Sequence, residues 1–215
     1  MIKKTDISQI RFRYKKDKLS KKLSSSNPFK QFNKWLNEAI KNKVFEPTAM
    51  SLATLKKKKV SNRIVLLKGV QNESFIFYTS LKSKKSNDLK LNSHVAAVFW
   101  WPQIGKQVRI EGYVKKVSNK DADEYFSTRS RKSKIGAWSS NQSNVLKNRK
   151  ELEEKFKIIE KRFENKDISR PKFWSGFGIK PFLIEFWQGR ESRLHDRILY
   201  KKLSQKKWKK YRLNP

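Results

Sequence analysis

The chain has 215 residues, which suits one domain or one domain with appended segments. Apolar residues make up 36% and aromatics 13%, so wholesale disorder is excluded and the core must be built around large rings. Cysteine is absent, which excludes disulfides and thiolate chemistry, and the net charge of +34 is spread over the whole length with only 13 of 53 basic residues being Arg. That scatter reads as a solvated, lysine-biased surface, and no dedicated nucleic-acid partner is expected. The N-terminal MIKKTDISQI lacks the apolar segment of a signal peptide. The longest apolar run, Val95 to Trp101, is too short to span a bilayer. A soluble, cytoplasmic protein without a membrane partner is expected.

Residues 1–26 are polar and basic and read as a flexible arm, in which Ile10, Phe12 and Tyr14 alternate with Arg11 and Arg13. Asn27-Pro28 opens the first helix, since Asn caps well and Pro fits the first helical position. Phe29, Phe32, Trp35, Leu36, Ala39 and Ile40 then give it one apolar face. After Pro47 the pattern changes to strands, at Ala49 to Leu55, Arg63 to Lys68, Phe75 to Ser80, Val95 to Trp101 and Gln107 to Val117. In the last of these, Val108, Ile110 and Val114 share one face and Gln107, Arg109, Glu111 and Tyr113 the other. Lys82 to Leu91 reads as a short helix, and Ser118 caps another beginning at Asn119. A long helix is expected from Asn144 to Phe163, with Val145, Leu152, Phe156, Ile159 and Phe163 along its seam. Strands at Phe182 to Gln188, Arg197 to Leu203 and Lys207 to Leu213 complete the chain. Short loops imply antiparallel pairing, and the sum is an α+β fold: a closed or split barrel with surrounding helices.

Several chemistries are missing from the sequence. His94 and His195, without cysteine, offer no metal cluster of the usual spacing, so no metal is expected. Neither a dinucleotide fingerprint, a phosphate-binding P-loop nor a nucleophile elbow occurs. Three basic clusters remain. RIVLLK, Arg63 to Lys68, places a cation at each end of an apolar strand, with Arg63, Val65 and Leu67 on one face and Ile64, Leu66 and Lys68 on the other. YTSLKSKK, Tyr78 to Lys85, ends a strand in hydroxyls and enters a helix with Lys84 and Lys85, which are the parts of a phosphate cradle. FWQGRESRLHDR, Phe186 to Arg197, carries Arg193, His195 and Arg197 at alternate positions, which an extended backbone would aim the same way. Converging cations are costly without an anion, so this segment reads as ligand-binding.

These blocks, with EYFSTRSRKSKIGAWSSNQS (Glu124 to Ser143), PTAMSLATL (Pro47 to Leu55) and the terminal YRLNP, occur in an order and spacing that resemble the pyridoxamine 5′-phosphate oxidase family. The resemblance runs from about Ile7 to Pro215. It implies a split barrel over residues 27–215 that binds FMN and forms a homodimer, with FMN in clefts between subunits. It also implies a flavin-dependent oxidase that converts pyridoxamine or pyridoxine 5′-phosphate to the aldehyde, with O2 as electron acceptor giving H2O2. By the same resemblance, Arg63, Ile64, Val65, Leu66, Leu67, Lys68, Tyr78, Thr79, Lys84, Lys85 and Gln107 contact FMN. Gln142, Ser143, Trp187 and Arg197 complete that site, partly from the other subunit. Lys68, Tyr125, Arg129, Ser133, Arg193 and His195 hold the phosphorylated substrate, with Arg193 and His195 orienting its ring against the flavin. Arg11 to Tyr14 fold over it as a lid. Tyr125 and Arg129 lie one helical turn apart and should share a face. Lys84 stands where the family usually has Arg, and Arg190 where a small residue is common. A sister flavoprotein with another substrate, a polyanion binder and a carrier of the aldehyde product are the competing expectations.

Overall fold

The computed structural model describes residues 14, 18–204 and 207–215, so Arg11 lies outside the described residues. These residues form five helices: α1 (Pro28–Lys41), α2 (Lys84–Leu91), α3 (Asn119–Ser127), α4 (Arg131–Ser139) and α5 (Arg149–Arg162). The nine strands are β1 (Ala49–Lys56), β2 (Lys59–Leu66), β3 (Gly69–Gln71), β4 (Ser74–Ser80), β5 (His94–Trp101), β6 (Lys106–Lys116), β7 (Trp174–Gln188), β8 (Asp196–Lys202) and β9 (Trp208–Leu213). They pair in the order β2-β1-β5-β6-β7-β4-β3, with β8 on β7 and β9 on β8. The β1–β2, β3–β4, β4–β7, β7–β8 and β8–β9 ladders are antiparallel; all but β4–β7 join strands consecutive in the chain. Contacts divide the chain into two compact units.

The first unit comprises the chain up to Pro47, Val98–Arg109 and Leu183–Pro215. Its helix α1 starts where Asn27 Oδ1 accepts from the backbone N–H groups of Phe29 and Lys30, at 2.8 and 3.2 Å. The helix buries Phe29, Phe32, Trp35 and Ala39, while Ile40 is exposed. Phe32 meets Phe99 edge-on at 5.0 Å, and Trp35 meets Phe186 at 5.2 Å. Each such buried ring is worth roughly 1.5–3 kcal/mol in apolar burial. Lys106, on β6, is buried and pairs with Glu38 of α1. The described end of the expected mobile arm is docked on this unit. The backbone N–H of Leu19 donates to Asp196 Oδ2 at 3.1 Å, and the Tyr200 hydroxyl donates to the Ser25 carbonyl at 2.6 Å.

The second unit comprises Thr48–Ala97 and Ile110–Phe182. Alternation on β1 buries Met50 and Leu52, and β4 buries Phe75 and Phe77. Phe126 of α3, Ile135 of α4, Ile168 and Trp174 form a second cluster, against which Phe156, Ile159 and Phe163 pack. The expected long helix starts later, at Arg149, where Asn148 Oδ1 accepts from the Glu151 N–H at 3.0 Å. Val145, expected in its seam, is therefore fully exposed. Strand β7 begins at Trp174, eight residues before the expected start. The segment between, with Gly176, Gly178 and Pro181, reads locally as a loop, but pairing with β4 from Phe75↔Ile179 to Ser80↔Trp174 holds it extended. Gly176 is required there: a Cβ would lie 2.7 Å from the Tyr78 ring and 2.9 Å from the Phe77 carbonyl.

Candidate functional site

A cavity of about 820 Å³ lies in the second unit. Arg63, Ile64, Val65, Leu66, Lys68, Tyr78, Thr79, Lys85, Tyr125, Arg129, Ser133 and Gln142 all line it. The sequence thus located most of this cavity from three separate segments. Leu67 does not line it: this residue is only 3% exposed and belongs to the core. Lys84 and Ser143 do not line it either. They share a smaller cavity of about 220 Å³ with Asp88.

One wall is cationic. The β1–β2 register sets Arg63 opposite Leu52, so its guanidinium reaches back along β1. It donates to the Leu52 carbonyl at 3.0 Å and to Thr54 Oγ1 at 2.8 Å, and lies 3.8 Å from Asp88. Ser83 caps α2 and turns Lys85 inward. Its ammonium donates to Thr79 Oγ1 at 2.9 Å, and to Ser83 Oγ and Gln142 Oε1 at 3.4 Å each. Burial, with the charge of Arg63 adding to it, lowers the Lys85 pKa from 10.5 to about 8. A cation strained in this way is relieved by an anion. Gln142 also accepts from the Thr79 hydroxyl at 3.0 Å, which ties the loop after α4 to the end of β4.

The other wall is aromatic. Tyr78 stacks on Tyr125 with centroids 4.0 Å apart, and on Trp174 at 5.4 Å. Arg129 lies over Trp174 at 4.8 Å and over Phe126 at 5.5 Å. Arg129 is not on α3, contrary to the expected shared helix face: the helix ends at Ser127 with Thr128 as C-cap, and a turn carries Arg129 into the cavity. Its Nη1 is buried without a hydrogen-bond partner. An unpaired buried guanidinium nitrogen is costly, and an anion accepting from it would remove the cost. Burial lowers the Arg129 pKa, against which Tyr125 acts. Ser130 caps α4 and bonds Ser133 Oγ at 2.9 Å, so a helix N-terminus and two hydroxyls stand beside Arg129.

The first unit holds the remaining expected residues: Tyr14, Gln107, Trp187, Arg193, His195 and Arg197. Rings of Trp187 and His195 lie 4.5 Å apart, and Tyr14 meets both edge-on at 5.5 and 5.6 Å. Tyr14 fits because Gly189 carries no side chain; a Cβ there would lie 2.2 Å from its ring. Gln107 is half-buried on β6. Arg193, His195 and Arg197 do not share one aim. Ser192 and Arg193 turn through left-handed backbone, φ 54° and 61°, and β8 begins only at Asp196. Arg193 is consequently exposed in a 3₁₀ turn. His195 Nδ1 accepts from the Arg190 N–H at 3.1 Å, which gives Arg190 a role through its backbone. Burial, with the charge of Arg193, lowers the His195 pKa below 6.5. Arg197 donates from Nε to Glu185 at 2.7 Å and from Nη1 to the Asn214 carbonyl at 3.0 Å. Glu185 also accepts from Arg109 at 2.9 Å.

Sequence reading did not single out Trp174, Asp88 or Glu185. Asp88 had a local signal, four residues after Lys84 on a helix. Glu185 meets its partners only through strand pairing, and Trp174 meets Arg129 only where the start of β7 packs against α3 and the turn after it. Among the described residues no group of His, Asp and Glu could hold a metal ion, and no helix is long and apolar enough to cross a membrane.

Comparison with known proteins bears on this arrangement. Residues 36–163 match the family model described as pyridoxamine 5′-phosphate oxidase. The chain belongs to the pyridoxamine 5′-phosphate oxidase family. Residues 174–215 match the model of the pyridoxine 5′-phosphate oxidase C-terminal dimerisation region. The pyridoxine/pyridoxamine 5′-phosphate oxidase of Leptospira interrogans is 45% identical over 210 residues, covering 97% of this chain and 98% of its own. That of Haemophilus ducreyi is 46% identical over 210 residues, covering 98% and 100%. Among solved structures, PhzG from Burkholderia lata, in complex with tetrahydrophenazine-1-carboxylic acid, matches with a TM-score of 0.86 at 26% identity, covering 93% of this chain and 98% of that one. A pyridoxamine 5′-phosphate oxidase-related, FMN-binding protein from Nostoc punctiforme shares the fold, with a TM-score of 0.71 at 15% identity over 89% of this chain and 100% of that one. The family fold is the antiparallel split barrel with surrounding helices that the strand pattern led one to expect.

Proposed function

We propose that this chain oxidises pyridoxamine 5′-phosphate and pyridoxine 5′-phosphate to pyridoxal 5′-phosphate, using FMN and O2, as a cytoplasmic homodimer. The observation that carries the reading is the buried, unpartnered Nη1 of Arg129, in a cavity that also contains the strained Lys85 ammonium. Two cationic stations in one cavity suit two phosphates, one on a cofactor and one on a substrate. The residues fit FMN: Arg63 and Lys85 would take its phosphate, with Thr79 and Gln142 beside them. Lys84 and Ser143 would join from the adjoining smaller cavity. Apolar Ile64, Val65 and Leu66 would cover the flavin ring.

The substrate phosphate would take the open hydrogen-bond positions of Arg129, with Tyr125, Ser133 and Lys68 completing its shell. Trp187, His195, Arg193, Arg197 and Gln107 would close the flavin and substrate sites, in part from the second copy of the chain. Tyr14 would cover the ring. Bound FMN would supply the acceptor for two electrons from C4′, with O2 taking these and two protons as H2O2; the alcohol gives the aldehyde directly, and the amine gives it after water displaces the nitrogen as ammonia. What the protein contributes is position, since geometry at C4′ governs the rate of such a transfer. With its pKa lowered, His195 is neutral at pH 7 and can orient the pyridine ring without adding charge.

Protein reconstituted with FMN should form pyridoxal 5′-phosphate and H2O2 from either phosphorylated substrate in equal amounts. Unphosphorylated pyridoxamine should be a poor substrate, because the station at Arg129 is then left unfilled. Equal turnover of the two amines would remove the role given to Arg129. No aldehyde from any of them would remove the activity.

A further inference from the structure

Asp88 is 1% exposed and is the one carboxylate among the described residues lining the two neighbouring cavities. Burial alone would raise its pKa. Hydrogen bonds from Thr54 at 2.9 Å and Lys84 at 3.2 Å, with the charges of Lys84 and Arg63, hold it below the usual value instead. Thr54 is doubly used: its hydroxyl donates to Asp88 and accepts from Arg63. The carboxylate therefore pairs with Arg63 and Lys84, two of the three cations that the cofactor reading assigns to a phosphate, and Lys84 reaches it within one helical turn.

We propose that Asp88 is a positioning residue that stands in for the flavin phosphate in the ligand-free protein, pairing with Arg63 and Lys84 and yielding them in part when phosphate enters. This rests on the reading of the cavity as an FMN site. Physical necessity motivates it. Arg63, Lys84 and Lys85 lie on adjoining elements, and three cations brought together without an anion repel one another. The stand-in has two opposed consequences: it stabilises the ligand-free protein, and it competes with the phosphate for the same donors. A residue that merely supports the fold would affect both properties in the same sense.

The test is Asp88→Asn, which keeps an oxygen acceptor for Thr54 and removes only the charge. FMN affinity is read by flavin fluorescence quenching, and thermal stability by melting the flavin-free protein. The expected result is FMN binding tighter by about three- to ten-fold, from loss of one nearby negative charge in a partly solvated site. The flavin-free melting temperature should meanwhile drop by about 5 °C or more, since Arg63 and Lys84 lose the carboxylate they share. Unchanged or weaker FMN binding by the variant, while wild-type protein binds FMN, overturns the stand-in and leaves the cofactor reading intact. Failure of wild-type protein to bind FMN overturns both. If the variant does not fold, the Asp88 carboxyl carbon can be followed by NMR in labelled wild-type protein. Its pKa must rise on adding FMN; an unmoved titration refutes the proposal.

Discussion

Lys85 offers the most quantitative handle on the cavity. Its pKa is lowered from 10.5 to about 8 in the ligand-free protein. In the unfolded chain the lysine keeps the ordinary value, so between pH 8 and 10.5 the unfolded state holds more protons. The contribution of Lys85 is thus destabilising at neutral pH, by about 2–3 kcal/mol after allowance for solvent screening, and is relieved as pH rises through that window. A bound phosphate dianion would restore the ordinary value, because it supplies the opposite charge the site lacks. FMN affinity should therefore decline as the free protein loses this proton. With pKa values of about 8 free and at least 10.5 bound, linkage gives about a 20-fold loss of affinity between about pH 7.5 and pH 9.5. The phosphate itself is already a dianion over this range, having a second pKa of about 6. Fluorescence titrations across the range measure the slope directly. Lys85→Gln should bind FMN more weakly at pH 7.5 and show almost no slope. A wild-type affinity that is flat with pH, or a variant that keeps the slope, would refute the account of Lys85.

Other expectations concern single contacts. Arg129→Met should raise KM for pyridoxamine 5′-phosphate by about 100-fold or more while leaving FMN affinity within a few-fold, the loss of a charged hydrogen bond to phosphate being worth about 3 kcal/mol; steady-state kinetics and flavin titration separate the two. Trp174→Leu should destabilise the second unit by about 3 kcal/mol and also raise KM, because the ring lies beneath Arg129; a melt and the same kinetics test this. Protonating His195 breaks its acceptor bond from the Arg190 N–H. Since the folded pKa lies below 6.5, the unfolded chain takes up this proton first, and stability is lost as pH falls through that range. Turnover should therefore hold from pH 8 down to about 6.5, and a decline centred above 7 would contradict this assignment. Gly189→Ala should displace Tyr14, seen as altered fluorescence of the neighbouring Trp187, with little change in stability if the backbone is unaffected.

Local signals in the sequence carried much of this fold. Asn27-Pro28 and the spacing from Phe29 to Ala39 give α1 because cap, first-turn proline and apolar face agree. Alternation from Gln107 to Val114 gives β6 for the same reason. The first half of β7 was not legible, because Gly176, Gly178 and Pro181 are poor strand formers and only the β4 partner makes them one. The turn at Ser192 and Arg193 was equally hidden, since neither residue favours positive φ and nothing nearby announces it. At the site, residues with strong local chemistry were found: Arg63, Lys85, Tyr125, Arg129 and Ser133 converge on one cavity although up to 70 residues separate them. Residues that act through others were not found. Trp174 under Arg129, Asp88 behind Arg63 and Glu185 behind Arg197 are ordinary residues until tertiary packing brings them to their partners.

The measurement that bears most directly on the central claim is the absorption spectrum of the FMN-reconstituted protein under anaerobic conditions. On adding pyridoxamine 5′-phosphate, the flavin band should bleach, and it should return when air is admitted, with one pyridoxal 5′-phosphate formed per flavin in the anaerobic stage. A flavin band that binds to the protein and stays unchanged with this substrate would contradict the assigned activity.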